Sequence, residues 1–297
     1  MRMIVWRGPV EELFVHPLVI DPRLAFTADT LGLGFGNNFV TALEFRRILD
    51  DLWRKGWTLV DVHRAASGRV LVPAGRKPLV LSEDDVNYYA YFRGRGLATR
   101  LLLAGDRVLA QLPDGRLTDQ DVVPLVEEEI QRHPQFSADG ARGVLAVTGY
   151  EGLFGEHEPS RPAAEARLSA LADWLKTHGW TIASHSWGHI DFSTSSASSI
   201  AWDTRQWAKE AVPVLGHTDV LIYPFGAVPT DPVIRQLARA GFRIQLDIDI
   251  RARLDHRDGA VLMSRRHVDG YAFEVPDRQR PFYDVATVRD ARRPPNN

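Results

Sequence analysis

Leu49-Asp50-Asp51-Leu52-Trp53-Arg54-Lys55-Gly56-Trp57-Thr58-Leu59-Val60 runs from the end of an amphipathic helix, through a glycine and an aromatic residue, into an apolar strand. The same order returns in Trp174-Leu175-Lys176-Thr177-His178-Gly179-Trp180-Thr181-Ile182 and in Leu237-Ala238-Arg239-Ala240-Gly241-Phe242-Arg243-Ile244. In the first copy Thr41 and Glu44 have capping-box spacing, and Phe45, Ile48, Leu49 and Leu52 share one helical face. Gly56 suits the left-handed position that ends a helix. Further apolar strands are predicted at 13–20, 77–81, 143–147 and 220–223, with helices over 84–100, 118–132, 163–178, 198–212 and 231–240. These strands are continuous apolar runs, as in a parallel sheet covered by helices on both faces. The expected fold is α/β: a distorted or partial (β/α) barrel of about seven parallel strands, in a single domain spanning residues 1–297.

Composition narrows the function. The 297 residues, 44% of them hydrophobic, suffice for a large core, and a formal net charge of -2 gives no electrostatic basis for capturing nucleic acid or an anionic membrane. No apolar run approaches the roughly 20 residues that cross a bilayer, and Met1 to Leu13 lack the apolar stretch of a signal peptide. With no cysteine in the chain, any metal must be held by His, Asp or Glu. Gly152 to Pro162 and Ser193 to Ser199 read as loops, the second leading into a helix, and Arg292 to Asn297 as a frayed tail.

Two polar clusters stand directly after predicted strands, where the loops of a parallel barrel converge on one mouth. One is Ser82-Glu83-Asp84-Asp85, the other His185-Ser186-Trp187-Gly188-His189. Residues four apart on a helical turn face the same way, so His185 and His189 can reach one ion. Asp50-Asp51 is also an acidic pair, but it lies in an amphipathic helix and reads as a solvated face. Asp84 and Asp85 instead end an apolar run, where adjacent carboxylates repel unless a cation or shared proton relieves them. If one binds a metal, its neighbour is free to accept a proton from water.

The order of an Asp-Asp strand end, a His-Ser-x-x-His segment and a later Pro-aromatic-Gly loop resembles the polysaccharide deacetylases of carbohydrate esterase family 4, the NodB-like homology domain. The segments concerned are Ser82 to Val86, His185 to His189, and Ile222-Tyr223-Pro224-Phe225-Gly226, and the resemblance spans residues 11–270. It implies that Asp85, His185 and His189 hold a divalent metal, usually zinc, with cobalt or nickel as substitutes, and that Asp84 is the general base. It places the backbone N–H of Phe225 as oxyanion donor, with Tyr223 and Trp187 near the substrate. It further implies a carbohydrate polymer or oligomer as substrate, release of N-acetyl groups from amino sugars, and a location in the cell envelope or outside the cell.

Several positions depart from the family pattern. Glu83 and Val86 replace the residues that flank its aspartates, and Ile222 stands where an arginine normally orients the base. Without that arginine, Asp84 is expected to have a raised pKa or another tether. Asp247 and Asp249 are candidates for the carboxylate of the fourth motif, and His267, in Met263 to Gly270, for the acid that protonates the leaving amine. Arg265 and Arg266 read as solvated, salt-bridged or contacting anionic substrate groups, and His16 as structural at the mouth. Tyr150, Trp187, Phe225 and Tyr271 are candidates for a sugar-binding platform. Two alternatives follow: a carbohydrate-binding protein of this fold with little or no turnover, and a metal hydrolase of another amide or ester.

Overall fold

The computed structural model describes residues 2–158 and 161–294. Among them, parallel strands close a barrel in chain order: β1 (Glu11–Val15), β2 (Lys77–Glu83), β3 (Val144–Val147), β4 (Thr181–Ser184), β5 (Val220–Ile222), β6 (Ile244–Ile248) and β7 (Ala260–His267). Closure runs through β7, which sets Met263 opposite Leu246 of β6 and His267 opposite Phe14 of β1. Pairing is short between β2 and β3, at Ser82–Val144 and Glu83–Leu145, and between β4 and β5, at Ser184–Leu221, so the barrel is distorted as expected. Alternation along each strand sends Leu13, Leu81, Leu145 and Ile182 outward beneath the helices. Val80, Ala146, Ala183, Ile222, Leu246 and Met263 fill the interior. Strands buried on both faces have no polar side to display, which explains the unbroken apolar runs.

The principal helices match the periodicity: α1 (Ala42–Arg54), α2 (Val122–Arg132), α3 (Pro162–Thr177), α4 (Ala197–Glu210) and α5 (Asp231–Arg239). The capping box at the start of α1 forms, with Glu44 N–H donating to Thr41 Oγ1 at 3.0 Å and Thr41 N–H to Glu44 Oε2 at 2.7 Å. At the other end Gly56 has φ +84°, so the chain reverses into Trp57–Leu59, which pairs with β2. Ser196 caps α4, and the serine-rich segment before it is the expected lead-in loop.

The structure corrects three local expectations. No helix forms over 84–100: Asp85 and Tyr88 are left-handed, Gly94 and Gly96 break the chain again, and a single 3-10 turn, Ala90–Phe92, lies between. Beyond it Arg100–Ala104, Arg107–Gln111 and Leu117–Thr118 form a small antiparallel sheet. Asp51 is buried rather than solvated, accepting from the Asp284 N–H at 2.9 Å and pairing with Arg54. Finally, Arg292 and Arg293 are not frayed; residues 295–297, like 159–160 in the Gly152 to Pro162 loop, lie outside the described residues.

Arg293 is a tether. Its guanidinium is fully buried and donates to both oxygens of equally buried Glu44, at 2.8 and 2.7 Å, and to the Gly36 and Phe39 carbonyls, at 2.6 Å each. Truncating it would leave the Glu44 carboxylate without its counter-charge in the interior. Arg293→Ala is expected to cost about 3–5 kcal/mol, read as a lower urea midpoint with an unchanged slope.

Candidate active site

The two polar clusters meet at the C-terminal mouth of the barrel. Asp84 still follows β2, its N–H donating to Val15 O at 2.9 Å. Asp85 then turns left-handed, φ 57°, which ends the strand and brings the second carboxylate to the same place as the first. Both face His185, whose Nε2 lies 4.0 Å from Asp84 Oδ2 and 3.7 Å from Asp85 Oδ1. His189 Nε2 is 3.3 Å from Asp85 Oδ1. One ligand atom from each of Asp85, His185 and His189 lies within 4.8 Å of the others.

The surroundings fit a divalent metal with nitrogen and oxygen ligands. His185 Nδ1 is 2.9 Å from the Ile222 carbonyl, which can only accept, so the proton sits on Nδ1 and Nε2 offers its lone pair to the cluster. Burial pushes this imidazole down to about 4, keeping it neutral. Tyr89 Oη donates to Asp85 Oδ1 at 2.9 Å and lies 3.0 Å from Thr148 Oγ1, so the carboxylate is held from behind. The histidine segment is not a helical turn, as the four-residue spacing suggests. It is a loop with Ser186 and His189 left-handed, φ 62° and 50°. Buried Asp203 on α4 fixes this loop by accepting from the N–H groups of Trp187 at 2.8 Å and Gly188 at 2.7 Å. Nothing local in the helical sequence around Asp203 signals that role.

Arg265 changes the reading of Asp84. It projects from β7 into the barrel, fully buried, and makes a bidentate pair with Asp84 at 2.6 and 3.0 Å while also donating to Ser82 Oγ at 3.1 Å. Its guanidinium lies 4.3 Å from the centre of the Phe14 ring. Burial would raise the Asp84 carboxyl, but the charge of Arg265 and its hydrogen bonds outweigh it and hold the group at about 2. The raised pKa expected from the missing motif arginine is therefore corrected: an arginine is present, from another strand. Ile222 is a buried core residue. Arg266, on the opposite face of β7, pairs with Glu11 at 2.9 Å.

The remaining candidates divide. Phe225 lies at the mouth, 67% exposed, with φ 59° and its ring 4.6 Å from that of His189. Trp187 borders the same loop, half-buried. Tyr223 is displaced from its expected substrate position: its side chain is buried beneath the barrel wall, with Oη on Gln245. Strand alternation turns it outward when its neighbours turn in. Asp247 pairs with Arg253, and Asp249 accepts from the Arg251 N–H at 3.1 Å, so the fourth-motif carboxylate has no clear counterpart in either. Tyr150 stacks on Tyr89 at 5.4 Å, and Tyr271 accepts from Asn37 Nδ2 at 3.2 Å.

Two histidines stand near Asp84. His267, on the inner face of β7, lies 4.6 Å from the Phe14 ring, with Nδ1 3.0 Å from Asp269 Oδ2 at an ion-pair separation. His16 follows β1, and the pair Val15–Glu83 makes Asp84 its next neighbour in register. Its Nδ1 is 2.9 Å from the Asn38 carbonyl, so Nδ1 bears the proton and Nε2 is left available.

No protein-family model matches the chain, and no curated protein is similar to it at a significant level. Solved structures are. The Streptococcus pyogenes deacetylase PplD, in complex with acetate, superposes with a TM-score of 0.53 at 15% identity, covering 89% of this chain and 93% of that one. IcaB from Ammonifex degensii gives 0.53 at 13%, covering 95% and 97%. A de-N-acetylase from Aggregatibacter actinomycetemcomitans gives 0.54 at 12%, covering 89% and 96%. The chain thus has the (β/α) barrel fold of the polysaccharide deacetylases.

Proposed function

We propose that the protein is a metal-dependent hydrolase that removes N-acetyl groups from the amino sugars of a cell-envelope or extracellular polysaccharide. The observation that carries this reading is the meeting of Asp85, His185 and His189 within 4.8 Å, beside a carboxylate clamped by Arg265. Asp85, His185 and His189 would hold the metal, zinc by the donor set, which when bound supplies Lewis-acid polarisation and a more acidic water. Asp84, kept ionised and oriented by Arg265, takes a proton from the attacking water. The Phe225 N–H is the oxyanion donor. A histidine at the mouth gives the departing amine its proton, without which an amide cannot expel it at a useful rate. No helix among the described residues is long and apolar enough to cross a membrane.

Acetate release from N-acetylglucosamine oligomers, before and after chelation and on readdition of zinc, cobalt or nickel, tests this directly. The expected result is loss on chelation and recovery with metal. Background release under every metal condition, with oligomers still bound, would favour a binding protein. That alternative draws on the altered first motif, where Glu83 and Val86 stand, and on the missing arginine; only the second is answered, by the pairing of Arg265 with Asp84. Faster turnover of aryl acetates than of any acetylated sugar would favour the third reading, another amide or ester.

A further inference from the structure

Beside the candidate metal centre lies a cavity of about 670 Å³, within the range that holds small ligands. Its walls include Tyr150 and Glu151 after β3, Glu165 on α3, Glu210 at the end of α4, and Trp187. Trp187 sits between His185 and His189 in the chain, so one loop serves both the cavity and the metal centre. That wall is fixed before any ligand arrives. A Cβ on Gly149 would lie 2.2 Å from the indole, so the ring packs directly against bare backbone, and its Nε1 donates to Glu210 Oε2 at 2.7 Å. The N–H groups of Gly149 and Tyr150 both donate to Trp187 O, at 2.9 and 2.8 Å. A rigid, half-buried aromatic ring costs little conformational entropy on binding and suits the C–H face of a sugar ring.

The charge of the cavity is the more specific feature. Glu151, Glu165 and Glu210, all solvent-exposed, line it against Lys209 as the one lysine or arginine in its lining. Such a wall suits a cation. Resting on the function proposed above, we infer that this cavity holds a neighbouring unit of the same polymer whose amine has already been freed and carries a proton. The enzyme then works best beside units it has already deacetylated.

Titration of the protein with a glucosamine tetramer and with an N-acetylglucosamine tetramer tests this at pH 6, where the amines are charged. The expected result is tighter binding of the glucosamine tetramer, weakened about five- to tenfold in an E151Q/E165Q variant, while the acetylated tetramer is unaffected. Acetate release should likewise be faster from partly deacetylated oligomers than from fully acetylated ones. Equal binding of the two tetramers, or no loss in the variant, overturns the inference. The two readings fail separately. Acetate release without a preference for partly deacetylated chains leaves the proposed function standing and removes this one; charge-selective binding without acetate release does the reverse.

Discussion

Asp84→Asn is expected to lower acetate release by about 10²- to 10⁴-fold with metal content unchanged, because the amide cannot accept the proton and Asp85, His185 and His189 remain. Arg265→Met should be as damaging by another route. It leaves the Asp84 carboxylate buried without its counter-charge, at a cost of about 3–5 kcal/mol to the fold. The double variant D84N/R265M should be more stable than R265M alone, since it removes both charges together. The pH dependence has a definite sign. Folded Asp84 is held at about 2, below the ordinary aspartate value, so the pair stabilises the fold above that ordinary value and is lost only as pH falls through about 2. With Arg265 gone, burial dominates, the carboxyl rises, and the acidic limb of kcat/KM moves to higher pH in whatever folded enzyme remains. Urea unfolding of the three variants and a pH–rate profile of R265M check these outcomes. An unmoved acidic limb would show that Arg265 does not set the state of Asp84.

What the sequence discloses here depends on whether the determinant is local. The three helix–glycine–aromatic–strand units place β4 and β6 within a few residues, and the apolar runs place β2, β3 and β5. Asp84 with Asp85, and His185 with His189, are legible because each pair is short in sequence and follows a strand. Arg265 is different: it meets Asp84 across 181 residues, and only closure of β7 onto β1 brings them together. A signal was nonetheless present. Met263, Arg265 and His267 alternate with Ser264 and Arg266, so an inward Met places an inward arginine near the C-terminal end of the strand, at the mouth. Asp203 offers no such signal, since a carboxylate on an amphipathic helix reads as solvated until the loop it holds is seen. The segment 84–100 misleads because its aromatic residues mimic a helical face, whereas Tyr88, Tyr89 and Phe92 pack through a loop. Asp85 and Tyr88 turn left-handed to permit this.

The second large effect concerns the proton delivered to the leaving amine. His16→Asn is expected to lower kcat/KM on N-acetylated oligomers by about 10²- to 10⁴-fold, but far less on aryl acetates, whose phenolate departs without protonation. The geometry favours His16 over His267 on two counts. His16 is the register neighbour of Asp84 and close enough for its charge to lower that carboxyl, whereas His267 projects from the strand beyond Arg265. The Asn38 carbonyl fixes the His16 tautomer with Nε2 free, as an acid alternating between two protonation states requires. His267 instead borders a separate cavity of about 530 Å³ with Ile250, Tyr271 and Arg278, its ring against Phe14, a position better suited to holding a neighbouring part of the substrate. His267→Asn should therefore raise KM more than it lowers kcat, and should act alike on amides and esters that bind there. If His267→Asn alone produces the leaving-group-dependent loss, the acid is His267, and His16 does no more than buttress the mouth through Asn38 and Phe39. A leaving-group-dependent loss in neither variant would mean that the amine draws its proton from Asp84, which has just taken one from the attacking water.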